Sequence, residues 1–203
     1  MAKDVPSTRD RLLAAARAEF AAHGIAGART DRIARLAGVN KERIYGYFGS
    51  KEKLFDAVVM AAMDEMVDAV PLSSDDDPAE YVGRVFDFHR DHPDLLRLLL
   101  WEGLHYREQP LPNDDERARR YREKVSTLAG ALGVDSSFDV AACLLTLIGL
   151  AAWPSAAPQL ARLILGDAVD EPARRNAMRR YVTDFAARAL AEPDSKWDPV
   201  AGY

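Results

Sequence analysis

The chain has 203 residues, of which 48% are hydrophobic and 29% charged, with a net charge of −5. Such a length buries a core without staples, and the composition is that of a soluble globular protein of one or two domains. A single cysteine, Cys143, excludes an intramolecular disulfide and fits a reducing cytoplasm; Met1 to Asp10 is polar, unlike a signal peptide, and the longest apolar stretch, Val140 to Trp153, reads as too short to span a bilayer.

In chain order, nearly every segment has helical periodicity. Ser7 or Thr8 can cap a first helix carrying Leu12, Leu13, Ala16 and Phe20, which Gly24 ends. A short second helix runs from Thr30 to Gly38, and a third from about Asn40 to Phe48. Ser50 caps a long fourth helix, Lys51 to Val70, roughly 30 Å from end to end. After the polar loop of Ser73 to Asp77, helices are expected over Pro78 to Asp91 and from Pro93 to about Tyr106. Asn113 with Glu116 resembles a capping box for a helix reaching Leu132. Ser136 or Ser137 opens the apolar segment that Pro154 breaks, a short helix covers Pro158 to Leu165, and Asp170 with Pro172 begins a last helix ending near Ala191. With no alternating strand pattern, the fold class is all-α, with about nine helices.

The strongest constellation lies between Thr30 and Phe48. Ala34 is small where two short helices approach, Gly38 sits where the turn needs a positive φ, and Ile33, Ala37, Val39, Ile44 and Phe48 lock the pair onto Leu12, Ala16 and Phe20. This is a helix-turn-helix, and the solvent face left on its second member is Asn40, Lys41, Arg43, Gly46 and Tyr47, types that read base edges and phosphates. Thr30 can cap the preceding helix and aim its amides at a phosphate. Charge agrees: residues 1–55 hold eleven Lys and Arg against six Asp and Glu, so a basic first quarter precedes an acidic body.

The run from Thr30 to Leu54, above all Ile44-Tyr-Gly-Tyr-Phe-Gly-Ser-Lys-Glu-Lys-Leu54, resembles the DNA-binding signature of the TetR (tetracycline-repressor-like) family, the likeness extending over about Arg9 to Val59. The resemblance implies that Thr30, Tyr45, Tyr47 and Lys51 contact phosphates and that Asn40, Lys41, Glu42 and Arg43 read bases. It also implies a homodimeric repressor released from a palindromic, double-stranded DNA operator by a small-molecule effector. The family often has serine, glycine and threonine at positions 40, 42 and 43, and histidine at 46. Arg43 suits a bidentate contact to guanine, and Glu42 either accepts from cytosine, pairs with a nearby cation or is simply exposed. A G/C-containing half-site is therefore expected. Residues 1–50 form the expected DNA-binding domain and 51–203 the helical effector-binding and dimerisation domain, with the helix from 51 to 70 as connector.

In the C-terminal part, the segment Val140 to Ala152 is apolar nearly all round and must be covered on several sides. Leu144, Leu147 and Ile148, with Met178, Tyr181 and Phe185 of the last helix, are the expected dimer interface, as a four-helix pairing implied by the family. Phe86, His89, Trp101, His105, Tyr106 and Trp153 line either an effector pocket or plain core. The histidines lack metal-ligand spacing, the Asp75 to Asp77 run reads as a solvated loop, and no cofactor is implied. No paired acid and base, nucleophile motif or phosphate loop supports an enzyme. The competing function is an interaction protein of the same fold that acts through protein contacts without operator binding.

Overall fold

The computed structural model describes residues 6–167 and 171–191, so Asp170, expected at the start of the last helix, lies outside the described residues. Those residues form ten α-helices and no strand: α1 (Thr8–Gly27), α2 (Thr30–Leu36), α3 (Glu42–Phe48), α4 (Lys51–Ala69), α5 (Pro78–Asp91), α6 (Pro93–Tyr106), α7 (Asp114–Leu132), α8 (Phe138–Ala156), α9 (Pro158–Leu165) and α10 (Pro172–Ala191). The all-α class expected from periodicity holds, with ten helices where about nine were expected. The chain divides into two compact units, one of residues 6–71 and 88–121, the other of residues 72–87, 122–167 and 171–191.

The first unit begins with a capping box. Ser7 Oγ accepts the amide of Asp10 at 3.2 Å, and the Asp10 carboxylate accepts the amide of Ser7 at 3.2 Å. Gly24 does not end α1, as the sequence suggested; it kinks the helix, which resumes to Gly27. Its φ of +65° suits glycine, and a Cβ there would lie 2.7 Å from the indole of Trp101, so both backbone and space demand it. Leu12, Ala16, Phe20, Ile33, Ile44, Leu54, Phe55 and Leu98 are buried together in this unit, and Phe20 meets Phe55 edge to face at 5.2 Å. Helix α4 is tied down along its length: Tyr106 donates to Asp56 at 2.9 Å, Arg17 pairs with both Glu65 and Asp94, and Arg120 pairs with Asp64. Beneath these, the Arg117 guanidinium donates to both oxygens of Glu102 at 2.9 and 3.0 Å, the two side chains only 7% and 6% exposed.

In the second unit, Tyr81, Val82, Val85, Leu128, Val140, Leu144, Leu147, Ala151 and Val182 are buried. Gly83 leaves room for Arg179, which donates to Asp87 at 2.6 Å and Glu80 at 2.5 Å. Pro154 does not break α8, because losing one backbone donor leaves the following turn intact and the Ala157 amide still reaches the Trp153 carbonyl at 3.0 Å. Ser137 caps the other end at 3.3 Å, so the helix is 19 residues and, by length and apolarity alone, long enough to cross a bilayer. The expectation that it is too short fails on that count; what the structure offers instead is Val140, Leu144, Leu147, Ala151 and Ala152 packed inside the second unit.

Candidate nucleic-acid interface

The turn between α2 and α3 is built as two short helices at an angle require. Gly38 has φ +67° with nothing within 4 Å of a would-be Cβ, so the glycine serves backbone conformation and not space. The amides of Ala37 and Val39 return to Ile33 and Ala34 at 2.9 and 3.0 Å, closing the end of α2. Ile33, Ala34, Ala37 and Ile44 are buried. Anchoring Ile44 leaves Asn40, Lys41, Glu42, Arg43, Tyr45, Gly46 and Tyr47 exposed. Hydrogen bonding starts α3 at Glu42, but Lys41 already has helical φ and ψ, and the Arg43 and Ile44 amides bond back to Asn40 and Lys41 at 3.2 and 3.1 Å. Asn40, Glu42, Arg43, Gly46 and Tyr47 line a shallow concavity of about 290 Å³. Among the described residues Lys41, Glu42 and Arg43 make no ion pair within the chain.

The phosphate candidates are arranged differently from expectation. Thr30 is 8% exposed, and the residue capping α2 is Arg29, whose side chain is exposed and makes no cap bond. The cap is supplied from another helix: Glu19 Oε1 of α1 accepts the Arg29 amide at 3.0 Å. Lys51, at the start of α4, reaches back to the Ala28 carbonyl at 3.4 Å. Ser50 caps α4 through the Lys53 amide at 3.1 Å, and the Glu52 carboxyl is held below its usual range, first by a backbone hydrogen bond at its own residue and then by Ser50. Arg9 lies over the Phe48 ring, 5.8 Å from its centre, and Tyr47 is tilted against the same ring at 6.2 Å.

This arrangement matches known proteins on both sides of the fold. The pattern of bacterial regulatory proteins of the tetR family matches residues 12–58, and that of the tetracyclin repressor-like C-terminal domain matches residues 77–188. The chain belongs to the tetR family. The HTH-type transcriptional repressor SCO4008 of Streptomyces coelicolor is 39% identical over 168 residues, covering 81% of this chain and 87% of that protein. The solved structure of SCO4942 from Streptomyces coelicolor superposes with a TM-score of 0.70 at 35% identity, over 88% of this chain and 98% of that one. FadR of Bacillus subtilis, solved in complex with stearoyl-CoA, shares the fold with a TM-score of 0.60 at 16% identity, over 87% of this chain and 96% of its own. This tetR-family chain is therefore a helix-turn-helix, DNA-binding transcriptional regulator.

The regulator's other singled-out residues fall in separate settings. Trp101 is half-buried with its indole over Gly24, so it packs the kink of α1. His105 is exposed and meets the Tyr106 ring edge-on at 4.8 Å; Tyr106 is half-buried and bonded to Asp56. Phe86 and His89 are buried on α5, whereas Trp153 is 60% exposed on α8. Leu144 and Leu147 are buried inside the protomer and Ile148 half-buried; the large side chains that α8 leaves in water are Phe138, Leu145 and Trp153. On α10 Tyr181 and Phe185 are exposed and Met178 half-buried. A surface cleft of about 410 Å³ is lined by Leu165, Arg174, Ala177, Met178 and Tyr181, none of them among the six pocket candidates. Among the described residues no group of His, Cys, Asp and Glu could hold a metal ion. Sequence reasoning missed Arg29 and Glu19; the signal was an acidic residue set among the buried positions Ala16 and Phe20 of α1.

Proposed function

We propose that this regulator is a repressor that binds a two-fold DNA operator as a homodimer and leaves it when a small molecule binds its C-terminal half. The observation that carries the reading is the outward face of α3: Ile44 is fully buried while Asn40, Lys41, Glu42 and Arg43 all stand in solvent with no ion pair to satisfy them. Arg43 offers a planar fork for guanine, Asn40 a donor and acceptor for adenine, and Lys41 a point charge for either base or phosphate. Tyr45, Tyr47, Lys51 and the exposed Arg29 supply phosphate contacts, with Thr30 beside Arg29 at the start of α2 and 8% exposed.

Dimerisation follows from two considerations. One seven-residue recognition helix reads too few base pairs, so two copies about 34 Å apart are needed to occupy successive major grooves. Helices α8, α9 and α10 leave Phe138, Leu145, Trp153, Leu163, Ile164, Tyr181 and Phe185 exposed in the protomer, large side chains that a second copy would cover. Repression is supported by SCO4008, a named repressor that resembles this chain over most of its length, and ligand response by the shared fold of FadR with its bound stearoyl-CoA.

The test is to select duplexes from a random-sequence library with the purified protein. An enriched palindrome with half-sites about one helical turn apart supports the reading, and enrichment of no duplex points to regulation through protein contacts instead. A compound that raises the melting temperature in a small-molecule screen should then weaken operator binding about 5–150-fold, the usual size of such coupling; equal affinities would remove that compound as effector.

A further inference from the structure

A carboxylate buried in an apolar helix face is costly unless it is paired and hydrogen-bonded, so its presence calls for a reason. Glu19 is 4% exposed on α1 between the fully buried side chains of Ala16 and Phe20. One oxygen accepts the Arg29 amide at 3.0 Å. The other lies 3.4 Å from Arg32 Nη1 and 4.0 Å from His23 Nε2, and that same Arg32 nitrogen is 3.0 Å from the His23 ring nitrogen.

Helix α2 is seven residues long and has no side-chain cap of its own, which makes it marginal by local interactions alone. The turn ahead of it is gripped from three sides. Its Ala28 amide bonds to the Gly24 carbonyl at 3.1 Å, its Ala28 carbonyl accepts from Lys51 at 3.4 Å, and its Arg29 amide is taken by Glu19. Helices α1, α2 and α4 thus converge on two peptide groups, beside which stand the cations Arg29 and Lys51.

We infer that Glu19 is a positioning residue for DNA binding: from α1 it caps α2 and tethers Arg32, and so fixes the turn that presents Arg29 and Lys51 to phosphate. The inference rests on the DNA-binding reading above. Glu19 touches no DNA in this scheme and acts only through the residues it holds.

E19L removes the cap but leaves no buried counter-charge behind, because its charged partner Arg32 is 35% exposed, so comparing its melt with its affinity separates this role from mere support of the core. The probe is the duplex that the wild-type protein selects from a random library, and affinity is followed by fluorescence anisotropy across a salt series. E19L is expected to melt a few degrees below the wild type, as a lost helix cap requires, and to bind about tenfold more weakly at a temperature where both proteins are folded. Its slope of log affinity on log salt should fall by about one for each phosphate contact no longer held. E19Q keeps an oxygen for the Arg29 amide and is expected to restore affinity to within about threefold of wild type. R32M removes the tether at a partly exposed position, should melt near wild type, and is expected to weaken binding about threefold, which decides the matter should E19L fail to fold. Wild-type affinity and salt slope in both E19L and R32M, or losses that track the melting temperature with the slope unchanged, would overturn the inference. A wild-type protein that binds no duplex would instead overturn the DNA-binding reading itself.

Discussion

Helices α2 and α3 each bury a narrow apolar face and give solvent chiefly polar and charged side chains, with Leu36, Tyr45 and Tyr47 exposed among them, whereas α8, α9 and α10 leave Phe138, Leu145, Leu163, Ile164 and Phe185 in water. The first region is complete as a protomer: its core is closed, its turn hydrogen-bonded, and what it exposes is suited to a wet, polyanionic partner. The second is not. Its exposed side chains suit another apolar surface, which in the proposed dimer a second copy of the chain would supply. The proposed dimer needs both, because the spacing of two α3 helices on DNA would be set by how the C-terminal halves pair.

Substitutions that act on one region and spare the other sharpen this contrast. The largest effect is expected at Arg117, whose bidentate pair with Glu102 is buried in the unit that carries α3. R117A leaves the Glu102 charge without that guanidinium, at a cost of about 3–5 kcal/mol and a fall in melting temperature of about 6–20 °C by circular dichroism. An unchanged melt would mean that the first unit is not held by its buried ion pair. Next is L145D/L163D, which places charge on two exposed leucines of α8 and α9. In sedimentation velocity it is expected to run as a monomer where the wild type runs as a dimer, with palindrome affinity down by about tenfold or more because the half-sites are no longer engaged together. A dimeric double variant would move the pairing surface elsewhere. The smallest effect is expected at Asp56, whose carboxyl is raised above its ordinary range by burial despite the hydrogen bond from Tyr106. A raised native value means the folded state holds the proton more tightly, so this contribution to stability is full below about pH 4 and is lost as pH rises through the native value. D56N keeps an acceptor for Tyr106 and should flatten the stability curve above about pH 4, with a small gain at pH 7; a steeper curve would contradict the stated sign.

The two regions also differed in how well they could be read from residues alone. The α2–α3 pair was legible because its constraints are local: a positive φ at Gly38, small Ala34, buried Ile44 and a basic outward face are each tied to one position. Thr30 does not cap α2 as its position suggests: Glu19 reaches in from ten residues earlier to take the Arg29 amide, a contact that nothing beside Thr30 in the sequence announces. Helix α8 defeats periodicity, since a segment apolar all round does not say which side meets its own core, and so Leu144 and Leu147 were chosen where Leu145 is the exposed neighbour. Pro154 signals a stop in the sequence, yet the helix tolerates it because the turn around it is otherwise hydrogen-bonded. Trp101 was a candidate pocket wall because nothing near it in sequence shows that its indole fills the space left by Gly24.

The central claim is that Lys41 and Arg43 enter a groove of duplex DNA from the outer face of α3. Anisotropy titration of the library-selected duplex with wild-type protein and with K41A/R43A addresses it directly. The double variant is expected to melt as the wild type does and to bind about tenfold to a hundredfold more weakly. Equal affinity in two equally folded proteins would contradict it.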